Sequence, residues 1–374
     1  MAEVTNYIDR LVAELCPDGV DFYTIEELIT LDFGTRITKS EDAGTIYPVY
    51  GGGGASFRTD NYNREDKYVV SRFAMSEKCV RYVSGKFWML DSGFTYSVKD
   101  ESLLSYKYIS YWLLNAQQEI YACSSQSAQR NLKTADFKRF EVPVPPLEIQ
   151  EAIVEILHKF TNLEAELEAE LEARTLQNGY YRDSLFEALD CPSVPLNDLL
   201  DYEQPTKYLV SSKDYDDSYP TPVLTAGKTF ILGYTNETEG IYPASEEEPV
   251  IIFDDFTTAF KWVEFPFKAK SSAMKMLTLK SGTNSLFKYV YYAMQCIVYN
   301  SSDHARQWIS KYSNIEIPIP SLEEQQRIVD ILDRFDALTS SLSEGLPAEL
   351  AARRSQYEYY RDQLLTFPRK GENQ

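Results

Sequence analysis

Two kinds of hydrophobic pattern alternate along the chain. From Leu147 onward apolar residues recur three or four positions apart, at Ile149, Ile153, Val154, Ile156, Leu157, Phe160, Leu163, Leu167 and Leu171. That spacing predicts an amphipathic helix. Leucine returns every fourth residue from Leu163 to Leu171, inside two tandem Glu-Ala-Glu-Leu units at 164–167 and 168–171. A helix over 147–187 would be roughly 60 Å long at about 1.5 Å per residue. So long a stripe is buried only against an equally long partner, and a second helical pattern over 321–365 is the candidate. Pro145-Pro146 and Pro318 with Pro320 stop the strands before each helix, because proline lacks the ladder donor. Ser321 is the expected N-cap of the second helix, with Glu323 and Glu324 in its first turn. Gly345-Leu-Pro347 is expected to break or kink that helix. Elsewhere short apolar runs such as Tyr68-Val-Val70 and Val250-Ile-Ile-Phe253 lie between turn residues and read as strands. Leu104 to Leu114 and Leu286 to Met294 read as short helices.

The chain is written twice. Glu141-Val-Pro-Val-Pro-Pro-Leu-Glu-Ile-Gln150 and its continuation to Phe160 match Glu316-Ile-Pro-Ile-Pro-Ser-Leu-Glu-Glu-Gln325 and its continuation to Phe335, at a constant offset of 175. Leu163 and Leu338 extend the match. Ala169–Arg174 and Tyr180-Tyr-Arg-Asp183 return as Ala348–Arg353 and Tyr359-Tyr-Arg-Asp362 at offset 179, so four residues entered the second copy between Leu338 and Ala348. Cys16-Pro17 recurs as Cys191-Pro192, and Tyr47-Pro-Val49 as Thr221-Pro-Val223. A collinear series of this kind is a duplication. The organisation it predicts is α+β: two similar globules, 1–146 and 188–320, related by internal pseudo-symmetry and separated by a long coiled-coil pair of helices, 147–187 and 321–374.

The 374 residues carry a net charge of −20, the wrong sign for phosphate binding. Half of that excess sits in the two helical segments, 147–187 at −7 and 321–374 at −3. The globules keep basic windows. Arg58, Arg64, Lys67, Arg72, Lys78, Arg81 and Lys86 face four acidic residues in the first; Lys261, Lys268, Lys270, Lys275, Lys280 and Lys288 face Glu264 alone in the second. Arg130 and Arg306 occupy matching places, in Gln129-Arg-Asn-Leu132 and Ala305-Arg-Gln-Trp308. The expected phosphate contacts are therefore Arg58, Arg72, Lys86 and Arg130 in the first globule and Lys228, Lys261, Lys275 and Arg306 in the second. Cys16, Cys79, Cys123, Cys191 and Cys296 form no Cys-x-x-Cys pair and read as reduced, buried thiols of a cytoplasmic protein. No signal-peptide pattern opens the chain, and no apolar run reaches the ~18–20 residues of a membrane span.

Catalytic patterns are incomplete. Ala226-Gly-Lys-Thr229 resembles the end of a phosphate-binding loop, but Pro222 stands where the first glycine is needed. Gly51-Gly-Gly-Gly54 is a permissive turn, read as a flexible strand connection or as a place where the backbone closely approaches a phosphate or a partner. Pro17-Asp18 with Glu65-Asp-Lys67 only loosely imitates a nuclease carboxylate set. Asp254-Asp255 reads better as a turn or strand end than as a metal site. His158, on the long helix, reads as a surface residue, and two histidines make no zinc cluster. There is no Asn-Pro-Pro-Tyr methyltransferase motif. The pattern is that of a binding protein without a cofactor or metal of its own.

Three segments carry a family resemblance: Pro143-Val-Pro-Pro-Leu-Glu-x-Gln150 before Ile153-Val154, Arg353-Arg-Ser-Gln-Tyr-Glu-Tyr-Tyr-Arg-Asp-Gln-Leu-Leu-Thr-Phe367, and the opening Leu15-Cys-Pro-Asp-Gly-Val20. Together they resemble the specificity subunits of Type I restriction-modification systems. The resemblance implies two target-recognition domains, each reading one half of a split double-stranded DNA sequence. It implies an antiparallel coiled-coil helical pair that spaces them and docks two modification (methyltransferase) subunits, here Leu147, Ile153, Leu157, Leu163, Leu167 and Leu171 with Leu322, Ile328 and Leu332. It further implies S-adenosylmethionine in those partners, and ATP and Mg with a motor-nuclease subunit. Two other readings compete. An acidic DNA mimic that blocks restriction explains the charge but not the basic windows. A coiled-coil scaffold explains the helices but not two globules in a chain with 28 tyrosines.

Overall fold

The computed structural model describes residues 2–125, 129–227, 229–299, 305–339 and 345–371. The chain forms two compact units, Met1–Glu168 with Glu349–Gln374, and Ala169–Ala348.

In the first unit the strands are β1 (Asp21–Thr24), β2 (Ile29–Phe33), β3 (Tyr47–Gly51), β4 (Gly54–Thr59), β5 (Arg64–Ser71), β6 (Val80–Met89), β7 (Gly93–Val98) and β8 (Glu141–Val144). Six of them form one sheet in the order β2-β7-β5-β6-β3-β4, and β1 pairs with β8. Helices α1 (Ala2–Leu15) and α2 (Tyr106–Asn115) complete the globule. Its core joins Val70, Phe94 and Tyr96 of the sheet to Tyr108 and Ile109 of α2 and to Ile149, Ile153 and Leu157 of the long helix α3 (Leu147–Glu187).

The second unit repeats the plan with strands β9 (Ser193–Pro195), β10 (Leu200–Glu203), β11 (Thr221–Leu224), β12 (Ile231–Thr235), β13 (Val250–Asp254), β14 (Phe260–Val263), β15 (Lys268–Ala269), β16 (Met274–Leu279) and β17 (Glu316–Pro318), and helices α4 (Phe287–Gln295) and α5 (Leu322–Thr339). The orders are β10-β16-β13-β14, β12-β11-β15 and β17-β9. Val49 pairs in parallel with Trp88, and Val223 with Lys268, so the faint Tyr-Pro-Val and Thr-Pro-Val echo marks the same strand twice. One six-stranded sheet becomes two smaller ones because the run matching β6 is interrupted at Pro266. The offset of 180 set by the Trp88 and Lys268 pairings puts that proline in the place of Lys86.

The helical segments behave in two ways. Helix α3 runs unbroken over 41 residues. The second segment is two helices, α5 and α6 (Gly345–Leu364); residues 340–344, inside the stretch from Leu338 to Ala348 that holds the four-residue insertion, lie outside the described residues. Gly345 has φ +73°, and a Cβ there would lie 2.5 Å from the Ala337 carbonyl oxygen. Pro347 follows in the first turn of α6, where no intrahelical donor is missed. Ser321 caps α5, its Oγ accepting from Glu324 N at 3.4 Å. Within the first unit the opening half of α3 packs antiparallel to α6: Phe160 meets Tyr357 and Tyr360, and Arg354 pairs with Glu164 and Glu168. Within the second, its closing half meets α5 through Tyr181 stacked on Phe335 at 5.6 Å. The chain end returns to the first unit, where Val20 N donates to Pro368 O and Lys370 N to Val20 O, each at 3.0 Å. Gly19 permits this, since a Cβ would stand 2.7 Å from that Pro368 oxygen. Among the described residues no helix is long and apolar enough to cross a membrane.

Candidate nucleic-acid interface

The repeated Leu-Glu-x-Gln motif is an anchor. Gln150 and Gln325, both fully buried, occupy matching places. Gln150 Oε1 accepts from Ser105 N at 2.8 Å, and its Nε2 donates to Leu103 O and Pro145 O at 2.9 and 2.7 Å. Gln325 Oε1 accepts from Leu286 N at 2.9 Å, and its Nε2 donates to Pro320 O at 2.9 Å. Tyr108 and Tyr289 hydroxyls donate to Pro143 O and Pro318 O at 2.9 and 2.7 Å. Each clamp ties the start of a long helix to the start of α2 or α4. No apolar residue can satisfy these backbone groups, so Gln150→Ala or Gln325→Ala should each cost about 1–3 kcal/mol, read as a lowered urea midpoint; an unchanged midpoint would remove the anchor role.

The anticipated helix positions divide. Ile153, Leu157, Ile328 and Leu332 are buried in their own unit's core. They hold helix to globule and leave nothing for a partner subunit, which corrects their assignment as docking residues. Leu147, Leu167 and Leu171 are half-buried. Leu163 and Leu322 are 47% and 42% exposed, so the stripe is not buried throughout.

The basic candidates also divide. In the first unit Arg58 is exposed on β4, one Nη donating to Ile46 O at 2.6 Å. Lys86 is 4.5 Å from the Tyr62 ring, and the Tyr62 hydroxyl holds its ammonium above the ordinary lysine range. Arg72 lies over the rings of Phe33 and Phe73, at 5.0 and 4.5 Å. Arg130 covers Tyr121 at 4.5 Å. Met75 N donates to Arg130 O and Leu132 N to Arg72 O, so the segments bearing Arg72 and Arg130 run side by side. The glycine turn closes on this shelf, a Cβ on Gly52 falling 1.7 Å from Phe73 O. The close approach at Gly52 is to the protein's own Phe73 backbone, not the approach to a phosphate or partner that the four glycines were also read for.

In the second unit Lys261 is exposed on β14 and Arg306 on the segment before Trp308; Lys228 lies outside the described residues. Lys275 is a correction. It is 0% exposed and 3.0 Å from the buried Asp255 carboxylate, so it cannot reach a phosphate without breaking the core. Its neighbour Lys270 is instead half-buried against Tyr215, 2.7 Å from the hydroxyl. Asp254 caps a turn, accepting from Phe256 N and Thr257 N at 3.0 and 2.8 Å. His158 is exposed on α3. Of the cysteines only Cys79 is fully buried; the others are half-buried. Burial pushes the Cys79 thiol up to about 11, so it stays protonated at neutral pH. The aromatic seats Phe33, Phe73, Tyr62 and Tyr215 escaped the sequence reading, since no local pattern marks which ring meets which cation. The two glutamines had a signal, their recurrence at offset 175.

The family profile of the Type I restriction modification DNA specificity domain matches residues 17–173 and again 190–352. The chain is 57% identical over 196 residues to the Type I restriction enzyme EcoR124I/EcoR124II specificity subunit of Escherichia coli, an alignment spanning 50% of this chain and 47% of that one. In fold it is similar to the Type I restriction-modification S subunit of M. genitalium, with TM-score 0.58, 19% identity and 92% and 95% of the two chains covered. It is also similar in fold to a chain from a structure of the type I R-M system described for its complex assembly and conformational transition, with TM-score 0.52, 12% identity and 93% and 97% covered. Twice matched by one profile and built twice on one scaffold, the chain belongs to the Type I restriction-modification DNA specificity family, the non-catalytic subunits that recognise the DNA target.

Proposed function

We propose that each unit reads one half of a split double-stranded DNA site, with target-recognition domains over 1–146 and 188–320 and spacer helices over 147–187 and 321–374. The observation that carries this is the duplicated scaffold bearing unlike surfaces: Gln150 and Gln325 are held alike, while the basic and aromatic groups around Arg72 and Lys270 differ. A repeated frame with unlike faces suits two half-sites of unlike sequence. The chain works in the cytoplasm with two methyltransferase subunits, which supply S-adenosylmethionine chemistry, and with motor-nuclease subunits that use ATP and Mg. Sequencing the methylated bases of a host carrying the chain with its partner subunits should reveal one bipartite motif. Modification without any motif, or with a single continuous one, would overturn the reading.

The phosphate contacts proposed are Arg58, Lys86 and Arg130 in the first domain and Lys261, Arg306 and Lys228 in the second. Removing one such charge from the assembled complex should lower the slope of log K against log salt by ~0.9. Unchanged slopes in every one of these alanine variants would refute the assignment.

A further inference from the structure

Strands β5 and β13 end in the same device. Arg72 and Asp255 each directly follow the strand. Each donates its backbone N–H to the residue just before the neighbouring strand, Ser92 at 2.8 Å and Ala273 at 3.0 Å. Each carbonyl accepts from a returning segment, Leu132 N and Gln307 N, both at 2.8 Å. Each is followed by a phenylalanine, Phe73 or Phe256, and within two further residues by a non-glycine at positive φ, Ala74 at +49° and Thr258 at +58°. That backbone is disfavoured wherever a Cβ is present and persists only where the surroundings enforce it, commonly at functional sites. The same strained turn at the same place in two copies is a built feature.

What the turn carries differs. Asp255 points inward to Lys275. Arg72 is half-buried between Phe33 and Phe73, and among the described residues its guanidinium makes no hydrogen bond or ion pair. Its neighbours spend theirs on the fold: Arg64 on Thr95 Oγ1 and Asn63 O, each at 2.8 Å, and Arg81 on the Gly51 carbonyl at 2.5 Å. A guanidinium seated against two rings, with its donors unspent, is pre-organised for a flat partner with two acceptors. In the DNA major groove guanine offers that pair, O6 and N7.

We infer that Arg72 reads a guanine in the first half-site, held for that purpose between Phe33 and Phe73, and is not a phosphate contact as its place in a basic window suggests. The inference rests on the proposed role of the first unit as a DNA reader. At the matched place the second unit has spent its side chain internally, so the two half-sites are read by unlike chemistry at this turn.

The test uses the complex assembled with its modification subunits, and duplexes in which each base pair of the first half-site is changed singly. Arg72→Lys keeps the charge but loses the planar fork. It should lose discrimination at one G·C pair roughly ten- to a hundredfold while keeping the wild-type salt slope and the wild-type affinity for unrelated duplex. Arg72→Ala should lose the same discrimination. If Arg72→Lys binds every duplex like wild type and Arg72→Ala weakens all of them equally, Arg72 is a phosphate contact and the inference falls. If the wild-type complex itself cannot tell its methylated motif from unrelated duplex, the reading of the units as DNA readers fails instead.

Discussion

Inserting one further Glu-Ala-Glu-Leu unit after Leu171 is expected to widen the unspecified gap between the two half-sites by one or two base pairs. Helix α3 is continuous from Leu147 to Glu187, so four added residues lengthen it by about 6 Å and rotate it by about 40°. Duplex DNA rises about 3.4 Å per base pair. Four residues nearly complete a turn, so the part of α3 beyond the insertion, Tyr181 included, faces nearly the side it faces now. Two residues instead rotate everything beyond them by about 200°, and that variant should lose assembly or DNA binding. Methylated-motif sequencing in cells reads both outcomes. A four-residue variant that methylates the original motif with its original gap would show that the helix is a docking platform and not a ruler.

Breaking the buried pair of the second unit is expected to have the largest effect on stability. Lys275 and Asp255 are both 0% exposed and 3.0 Å apart. Their approach is an ion pair without good hydrogen-bond alignment, both facing atoms lacking a hydrogen-bond partner. The other Asp255 oxygen accepts from Trp308 N at 2.8 Å. Asp255→Ala or Lys275→Met leaves an uncompensated buried charge and should cost about 3–5 kcal/mol. The combined apolar variant Asp255→Leu/Lys275→Met should recover much of that, because like-sized apolar side chains often replace buried pairs without loss. The first unit supports this: Lys275 lies opposite Phe253 as buried Phe94 lies opposite Val70, so the scaffold accepts an apolar group there. Urea unfolding of the four proteins decides the matter. Single substitutions costing under ~1 kcal/mol, or a double variant as unstable as the sum of the singles, would show that the pair is not what holds the turn.

The duplication, the α+β class, the long helices and the break at Gly345 are all legible in the chain before it folds. Each is written in local signals: a constant offset, apolar residues at helical spacing, and prolines or glycines whose backbone limits do not depend on distant neighbours. Tyr47-Pro-Val49 and Thr221-Pro-Val223 proved to be one strand seen twice. Gln150 and Gln325 were legible as a repeat but not as clamps, since the backbone groups they satisfy lie some 40 residues earlier in the chain. Which lysine is surface and which is core follows from the fold alone. Lys261 and Lys275 share one basic window and have equal charge, yet Lys261 ends exposed and Lys275 buried against Asp255. Burial depends on which strand face the sheet turns inward and on the carboxylate it finds there, and neither is encoded near the lysine. Likewise the two rings against Arg72 come from separate strands of the first sheet, Phe33 at the end of β2 and Phe73 just past β5. They meet because β7 lies between those two strands and pairs with both, a pairing that only the folded sheet creates.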